Sequence, residues 1–458
     1  MNVSKQKGKG NAVDGRHYGK VPFRKGENTV TFTEQYKLYG FYQNELKSNL
    51  LGFWMPRCED KEYGGFLNCF DNSGEHLVSC DKYAWSQGRF VWIFARLAGT
   101  SAPIFSQAER EEFLRLAENG ADFLIKHVLI GDGDWRCSFL MERDGTHKVV
   151  SPGAPLDMSI YADCFVVLGL GMYSAVSGEE EAYTFAKTLY ESILSRVRAG
   201  EYHTLPYPLS ARFRAHGIPM ILDNTARELL RAAEKYDGNY AEKLKKDMEG
   251  FASDILTHFT DENDVIHEII TAENEMFPQI LGQHQNPGHT IEDVWFLLDA
   301  CEICKRNEWK DQIFRIAKKA LENGWDEEYG GLLHFCGVKG GKPEGDDTGV
   351  ADEPMTKQLA GWGDKLWWIH SEALYSTLRC AMESGETAFL AWHDRVFDYT
   401  FRTFPNTDPE IREWKQIRRR DGTPEDKVVA LPVKDPFHII RNMILNLELL
   451  SENSEKPA

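Results

Sequence analysis

His289 is a residue type that can transfer protons, and it lies at the start of a predicted helix with a carboxylate nearby. It follows a loop that ends in Pro-Gly at 287–288, and Glu292 lies one helical turn later on the same face. A carboxylate that orients a histidine ring and raises its basicity is typical of a general base. The same spacing also fits half of a metal site or a plain helix cap at Thr290. The nearest further ligand type is the loop residue His284, so the metal interpretation is the weaker one.

His438 occupies the same kind of position near the end of the chain. The loop before it ends at Pro436, and a helical pattern begins at Phe437. A single histidine at such a point is more often structural than catalytic. The parallel with His289 nevertheless favours a second proton-transfer residue.

Arg89 lies between two tryptophans on one helical face, because Trp85, Arg89 and Trp92 are spaced i, i+4, i+7. A guanidinium on a largely apolar helix is costly to bury unless it has a partner. Two interpretations stay open at this point. Arg89 is either a donor to substrate oxygens or half of a structural ion pair.

Trp368 and Glu372 are also i, i+4 neighbours on a predicted helix. An indole offers a platform for the apolar face of a sugar, and a carboxylate accepts hydrogen bonds from hydroxyl groups, so the pair predicts a carbohydrate site. His370 lies on another side of the same helix. Its position is more typical of a structural residue.

Composition excludes several classes of partner. The chain has 458 residues, of which 42% are hydrophobic and 27% charged, as in ordinary globular proteins. Its net charge of −18 and pI of about 5.3 argue against nucleic acid and anionic membranes. We find no apolar run near the roughly 20 residues that a membrane span needs, and the N-terminus lacks the apolar region of a secretory signal. Residues 1–30 are predicted to be a disordered polar tail.

The nine cysteines are odd in number and scattered, which favours reduced thiols in the cytoplasm over a disulfide framework. Cys301 and Cys304 form a C-x-x-C pattern inside a predicted helix. Without a second pair, buried thiols are a better interpretation of this motif than metal or redox chemistry.

Helical periodicity covers most of the remaining chain and must position these side chains. The predicted helices are 33–51, 84–98, 107–127, 156–177, 180–198, 218–236, 240–258, 290–306, 309–323, 364–383, 386–403 and 435–451. A short hairpin pattern recurs between them, clearly at 62–67 and 328–333 and more weakly at 135–139 and 414–417. Six such helical hairpins close most simply into an all-α (α/α)₆ barrel with short β-hairpins in the loops, and an open solenoid is the alternative. We predict one catalytic domain over 31–453.

Several strings together resemble the N-acylglucosamine 2-epimerase family, which includes the renin-binding proteins and is related to cellobiose 2-epimerases and aldose–ketose isomerases. They are Tyr-Gly-Gly-Phe at 63–66, Lys-Tyr-x-Trp-x-Gln-Gly-Arg at 82–89, Asn-Pro-Gly-His-Thr-Ile-Glu at 286–292, Lys-Leu-Trp-Trp-x-His-Ser-Glu-Ala at 365–373, Tyr-Thr-Phe-Arg at 399–402 and Phe-His at 437–438. The resemblance spans about residues 35 to 450, in order. It implies an (α/α)₆ barrel and the isomerase class.

The resemblance also implies roles for individual residues. His289 and His438 are expected to be the two catalytic bases, Arg89 to polarise the substrate carbonyl or enediolate oxygen, and Glu292 and Glu372 to support them. The candidate substrate-binding residues within the same strings are Trp368, Trp85, Asn286 and His370. The chain departs from the family pattern at Ile440, at Gln416 and at Asp293, where small residues are common.

The expected reaction is proton abstraction from C2 of an opened sugar by one histidine and return by the other, without a metal or a cofactor. Return of the proton to C1 instead gives a ketose, so aldose–ketose isomerisation is an alternative. An (α/α)₆ glycoside hydrolase using Glu292 and Glu372 is a rival from another class, and a non-catalytic binding protein is a second. The sugar stays open between N-acylhexosamines, free aldoses and a β-linked disaccharide. A homodimer is expected from the family resemblance alone.

Overall fold

The computed structural model describes residues 32–454, so the predicted tail at 1–30 lies outside the described residues. Within this range the first helix, α1, runs from Phe32–Asn44 through the π-helical turn Glu45–Leu50 into Leu51–Trp54. Eleven further long helices follow. They are α2 (Ala84–Gly99), α3 (Gln107–His127), α4 (Ile160–Ser177), α5 (Glu180–Ala199), α6 (Gly217–Tyr236), α7 (Gly238–Asp254), α8 (Pro287–Cys304), α9 (Lys310–Gly324), α10 (Trp367–Ser384), α11 (Thr387–Thr403) and α12 (Phe437–Ser454).

The even-numbered helices form a closed inner ring. Each packs against the next, from α2 to α4 and onward to α12, and α12 returns to α2. The odd-numbered helices form an outer layer, in which α3 packs on α2, α7 on α6 and α1 on α12. The chain is therefore the (α/α)₆ barrel predicted from its sequence, and ring closure excludes the open solenoid.

The two layers differ in amphipathicity because of their positions. Helix α4 belongs to the inner ring and is buried on nearly every side. By length and composition it is apolar enough to cross a membrane, a feature that the search for long apolar runs overlooked. Since 78% of that stretch is buried inside the barrel, its apolar character serves the core. The outer helix α9 instead carries charged residues on one face and buries Ile313, Phe314 and Leu321.

Short strands connect the helices at the end of the barrel where the inner helices begin. The strands are β1 (Lys82–Tyr83), β2 (Leu129–Gly131), β3 (Asp134–Cys137), β4 (Leu140–Met141), β5 (His147–Lys148), β6 (Phe213–Ala215), β7 (Ile269–Thr271), β8 (His284–Gln285), β9 (Cys336–Gly337), β10 (Lys365–Leu366) and β11 (Ile417–Arg418). All described pairs are antiparallel, including β1 with β4, β6 with β7, β8 with β9 and β10 with β11. Strands β1 and β10 lead directly into α2 and α10, so they fix where these helices begin.

Three of the inner helices are each anchored by their own buried lysine to the loop that follows an outer helix. The pairs are Lys82 with Asp60 (3.0 Å), Lys365 with Asp326 (3.0 Å) and Lys434 with Glu413 (2.8 Å). Each ammonium also donates to a backbone carbonyl in that loop, for example to Gly64 at 2.6 Å. Gly64 and Gly65 both have positive φ values, which explains the paired glycines of the recurring sequence pattern. The recurring sequence pattern therefore forms a loop that binds a lysine at the start of an inner helix.

Gly88 allows α2 and α4 to cross at very short range. A Cβ atom there lies 2.2 Å from the carbonyl oxygen of Phe165 on α4, a backbone atom that has little freedom to move. We predict that Gly88→Ala lowers the free energy of unfolding by about 2–3 kcal/mol through overpacking, measured by urea denaturation. The matched control is Gly52→Ala in α1, where a Cβ meets nothing within 4 Å. It gains up to about 1 kcal/mol of helix propensity. Equal effects of the two substitutions contradict the prediction.

Candidate active site

One cavity opens at the end of the barrel where all six inner helices begin. It has a volume of about 1020 Å³ and is open to solvent. The inner helices each place residues from their first two turns against it: Trp85 and Arg89 from α2, Tyr161 and Phe165 from α4, Met220 and Asn224 from α6, His289 and Glu292 from α8, Trp368 from α10, and His438 and Arg441 from α12. In the five helices that contribute two residues, the i, i+3 or i, i+4 spacing directs both side chains to the same face. The cavity therefore collects most of the predicted site residues.

His289 lies at the third position of α8, where Asn286 caps the helix. The Asn286 side chain accepts a hydrogen bond from the His289 backbone N–H at 3.1 Å. The ring directs Nδ1 away from the cavity toward Glu268, 2.9 Å from Oε1. An ionised carboxylate only accepts, so Nδ1 carries the proton and Nε2 is left with a free lone pair.

The predicted His289–Glu292 pair is wrong. Glu292 follows one turn after His289, but its carboxylate bonds Arg441 instead. The supporting carboxylate is Glu268, which lies in the loop before β7 and has no helical spacing that could reveal it. Burial alone raises the pKa of Glu268, but His289 and His216 outweigh burial and hold that pKa well below its ordinary value.

His438 is held in a second histidine–carboxylate pair. Its Nδ1 lies 2.7 Å from Oε1 of Glu372, which is fully buried beneath the cavity floor. Glu372 also accepts from Trp295 at 3.0 Å and bonds Arg441. Burial favours the neutral acid, but Arg441 and then His438 lower the pKa of Glu372 to about 2. Both candidate bases thus have an ionised carboxylate at Nδ1, which leaves Nε2 as the ring atom available for proton transfer at the cavity.

The contacts of Arg89 fit both interpretations that its sequence position left open. Its Nη1 forms a buried ion pair with Asp435, which directly precedes Pro436. Its Nη2 lies 3.2 Å from Nε2 of His438, at the cavity surface. The guanidinium also lies over the Phe165 ring at 4.0 Å, which restricts its plane. Arg89 is therefore a fixed cation directed at the cavity.

Trp368 contacts both histidine rings. Its ring centroid lies 5.5 Å from that of His289 and 5.5 Å from that of His438. The two imidazoles consequently border one cavity, as a two-base reaction at one carbon requires. Gly288 makes this arrangement possible, because a Cβ there lies 2.5 Å from the indole of Trp368.

Two of the candidate substrate-binding residues lie outside this cavity. His370 is fully buried, where Nε2 accepts from the Leu332 backbone N–H at 2.9 Å and Nδ1 donates to the Leu366 carbonyl at 2.7 Å. It connects the segment that follows α9 to the start of α10. Asn286 borders only a smaller recess beside His289. Trp85 lines the main cavity, as expected.

Two groups of side chains are close enough to hold a metal ion by geometry. They are His216, Glu268 and His289, and Glu292, Glu372 and His438, with ligand atoms in each group within 4.8 Å of one another. Arg441 already bonds both carboxylates of the second group, and protonated imidazole nitrogens face Glu268 in the first. Because these contacts balance the carboxylate charges, we assign no metal ligands among the described residues.

Glu372→Gln tests whether the buried charge of this carboxylate matters. Its loss leaves Arg441 with Glu292 alone and is expected to lower the free energy of unfolding by about 3–5 kcal/mol at pH 7. Since the pKa of Glu372 is lowered from 4.5 to about 2, its contribution is complete above pH 4.5 and disappears as the pH falls toward 2. The stability gap between wild type and variant should therefore narrow over this range in chemical denaturation. The control is Glu112→Gln, an exposed ion-paired carboxylate worth less than about 1 kcal/mol. A gap that does not change with pH contradicts the prediction.

Comparison with known proteins identifies the family and the fold of the chain. Residues 64–441 match the model of the N-acylglucosamine 2-epimerase (GlcNAc 2-epimerase) family. The N-acylglucosamine 2-epimerase of Rattus norvegicus is 31% identical over 414 residues, covering 89% of this chain and 90% of that protein. Among solved structures, cellobiose 2-epimerase from Bacillus thermoamylovorans has a TM-score of 0.70 at 18% identity, covering 91% of this chain and 100% of that one. A D-mannose isomerase has a TM-score of 0.67 at 16% identity, covering 91% and 97%. The chain belongs to the N-acylglucosamine 2-epimerase family.

Proposed function

We propose that this protein is a sugar 2-epimerase that inverts C2 of an open-chain aldose or N-acylhexosamine. The observation that carries the proposal is the pair of histidine–carboxylate units whose Nε2 atoms border one cavity. Family membership supports the same reaction class, because the relatives named above are epimerases and an isomerase.

In the proposed reaction, ring opening exposes the C1 carbonyl, which acidifies the proton on C2. Nε2 of one histidine takes that proton, and the C–H electron pair forms a C1–C2 double bond while charge moves to the carbonyl oxygen. Arg89 stabilises this enediolate, and the six helix N-termini around the cavity favour negative charge there. The second histidine, already protonated at Nε2, donates to C2 from the opposite face. Each positioned acid or base contributes about 10²–10⁴-fold in rate.

The hydrolase alternative fits the carboxylates poorly. A glycosidase general acid needs a raised pKa so that it holds a proton to donate. Glu372 has a pKa lowered to about 2 and, like Glu292, is bonded to Arg441. The complete pair of histidine–carboxylate units also supports catalysis over a non-catalytic binding role.

The cavity wall supports an N-acylhexosamine as the substrate. The lining includes Met220 and Ile221 of α6 and Leu431 of the last loop, which are apolar side chains that an acyl methyl group can contact. Free aldoses carry only a hydroxyl at C2 and make no use of that wall. We retain the homodimer and the cytoplasmic location as proposals. Nine free cysteines, seven of them buried, support a reducing compartment.

His289→Ala and His438→Ala test the two-base reaction. We expect each variant to lose epimer interconversion by at least about 100-fold while remaining folded by circular dichroism. In D₂O, the remaining histidine should still exchange the C2 proton of the one epimer that it faces, measured by proton NMR. His76→Ala, an exposed loop histidine, is the control and should retain full activity. Full interconversion in either site variant removes that histidine from the mechanism.

A substrate panel tests the choice of sugar. Purified protein is incubated with N-acetylglucosamine, N-acetylmannosamine, mannose, glucose and cellobiose, and products are identified by NMR. We expect the N-acylhexosamines to give the highest kcat/KM. Exclusive formation of ketoses identifies an aldose–ketose isomerase instead, and new reducing ends from an oligosaccharide identify a hydrolase.

A further inference from the structure

The two halves of the site repeat the same set of charged groups, apart from the Arg89–Asp435 ion pair, which lies only in the His438 half. Each contains a cavity histidine, a carboxylate bonded to its Nδ1, a second carboxylate and a buried cation. Around His438 these are Glu372, Glu292 and Arg441, and around His289 they are Glu268, Asp293 and His216. In the first half the cation is a permanent guanidinium. In the second half the same place is taken by an imidazole that can gain or lose its proton.

His216 is completely buried just before α6, outside the main cavity wall. Its Nε2 lies 2.9 Å from Oδ2 of Asp293, and its Nδ1 lies 3.7 Å from Oε2 of Glu268. Its backbone N–H donates to the Glu268 carbonyl at 2.9 Å, so the two residues are fixed to each other. The His216 and His289 ring centroids are 6.5 Å apart. His216 is therefore one side chain removed from the reacting imidazole.

Resting on the proposed epimerase reaction, we infer that His216 is a positioning residue that, as an imidazolium, counterbalances Glu268 and Asp293 and thereby sets the proton affinity of His289. It does not touch the substrate. It acts through Glu268, whose carboxylate it shares with His289.

The surroundings of His216 favour the charged form. Burial alone lowers its pKa, but the hydrogen bond to Asp293 and the nearby negative charge of Glu268 raise that pKa to about 9. A neutral His216 leaves two buried carboxylates against one imidazole, which is an unfavourable excess of negative charge. At neutral pH the cation is consequently in place, as Arg441 is in the other half.

Other titratable groups near this cluster do not supply the balancing charge. They are His284, His334, Tyr161, Tyr207, Asp223 and Glu292. Burial lowers the pKa of His334 to about 3 and also lowers that of His284, so both are neutral. Burial raises the pKa of the two tyrosines and of Asp223, which keeps them neutral as well. Glu292 is negative but bonded to Arg441.

The experiment compares His216→Gln with the double variant His216→Gln/Asp293→Asn. The single change leaves the Asp293 charge uncompensated, whereas the double change removes the whole ion pair and keeps an amide at each position. The readouts are the acid limb of the pH profile for C2 deuterium exchange and the ¹⁵N NMR titration of the His289 ring, assigned by its loss in His289→Gln. We expect the midpoint of the His289 titration to move upward by about one pH unit in His216→Gln. The substitution removes a positive charge from a ring whose centroid is 6.5 Å from that of His289, and protonation of His289 becomes more favourable. The double variant should return to within about 0.3 unit of wild type.

His393→Gln is the matched control, because His393 is another buried histidine, bonded to Tyr42 at 2.9 Å and remote from the cavity. It should lower thermal stability without moving the midpoint. An unchanged midpoint in His216→Gln, or equal shifts in the single and double variants, overturns the inference. If His216→Gln does not fold, Asp293→Asn is compared with the double variant. These two differ only at position 216, and the midpoint must then be higher in the double variant.

The two proposals fail in different ways. If wild-type protein exchanges no C2 proton from any sugar in the panel, the proposed epimerase function is wrong, yet the NMR titration still reports whether His216 controls His289. If exchange occurs but the His289 titration ignores position 216, the function stands and the inference about His216 is overturned.

Discussion

The central constraint on this structure is that a carboxylate buried in a barrel must be neutralised by groups that are buried with it. Glu372 and Glu268 both lie out of water, where an unpaired charge is unstable. Arg441 and His216 supply positive charge, and the two cavity histidines supply N–H donors. The same contacts that balance charge also fix the histidine tautomers. An ionised carboxylate can only accept a hydrogen bond, so the Nδ1 atom that faces it must carry a proton. Charge balance and proton-transfer geometry are therefore one arrangement.

The barrel makes this arrangement possible through the common direction of its inner helices. All six begin at the same end, so side chains from their first two turns meet although they come from segments as far apart as Arg89 and His438. The buried ion pairs of Lys82, Lys365 and Lys434 fix the starts of three of these helices. A displacement of the start of one of these helices moves a site residue directly. The conspicuous glycines and lysines of the sequence therefore hold the helix starts in place and are not the residues of the reaction.

Much of this architecture is predictable from local sequence because it is locally determined. Helical periodicity identified the helices, and two prolines marked the starts of α8 and α12, where His289 and His438 lie: Pro287 is the first residue of α8, and Pro436 directly precedes α12. Partners contributed by distant segments were missed, because no spacing relates Glu268 to His289 or Asp435 to Arg89. The predicted partnership of His289 with Glu292 failed for the same reason. Helical geometry places the two on one face, but tertiary contacts decide which carboxylate each side chain meets.

Asp293 shows how a departure from a family pattern can gain a structural meaning. In the sequence it is an acidic residue where small residues are common, and it weakens the resemblance. In the structure it bonds His216, a residue that lies just before a different helix. A carboxylate buried at this depth is unstable alone, and a neutral imidazole at position 216 leaves it without compensation. The two residues consequently depend on each other. In a two-base epimerase each histidine must serve alternately as acid and base, so the two bases need similar proton affinities. The ion pair of Asp293 and His216 brings to the His289 half of the site the cation that Arg441 brings to the other half.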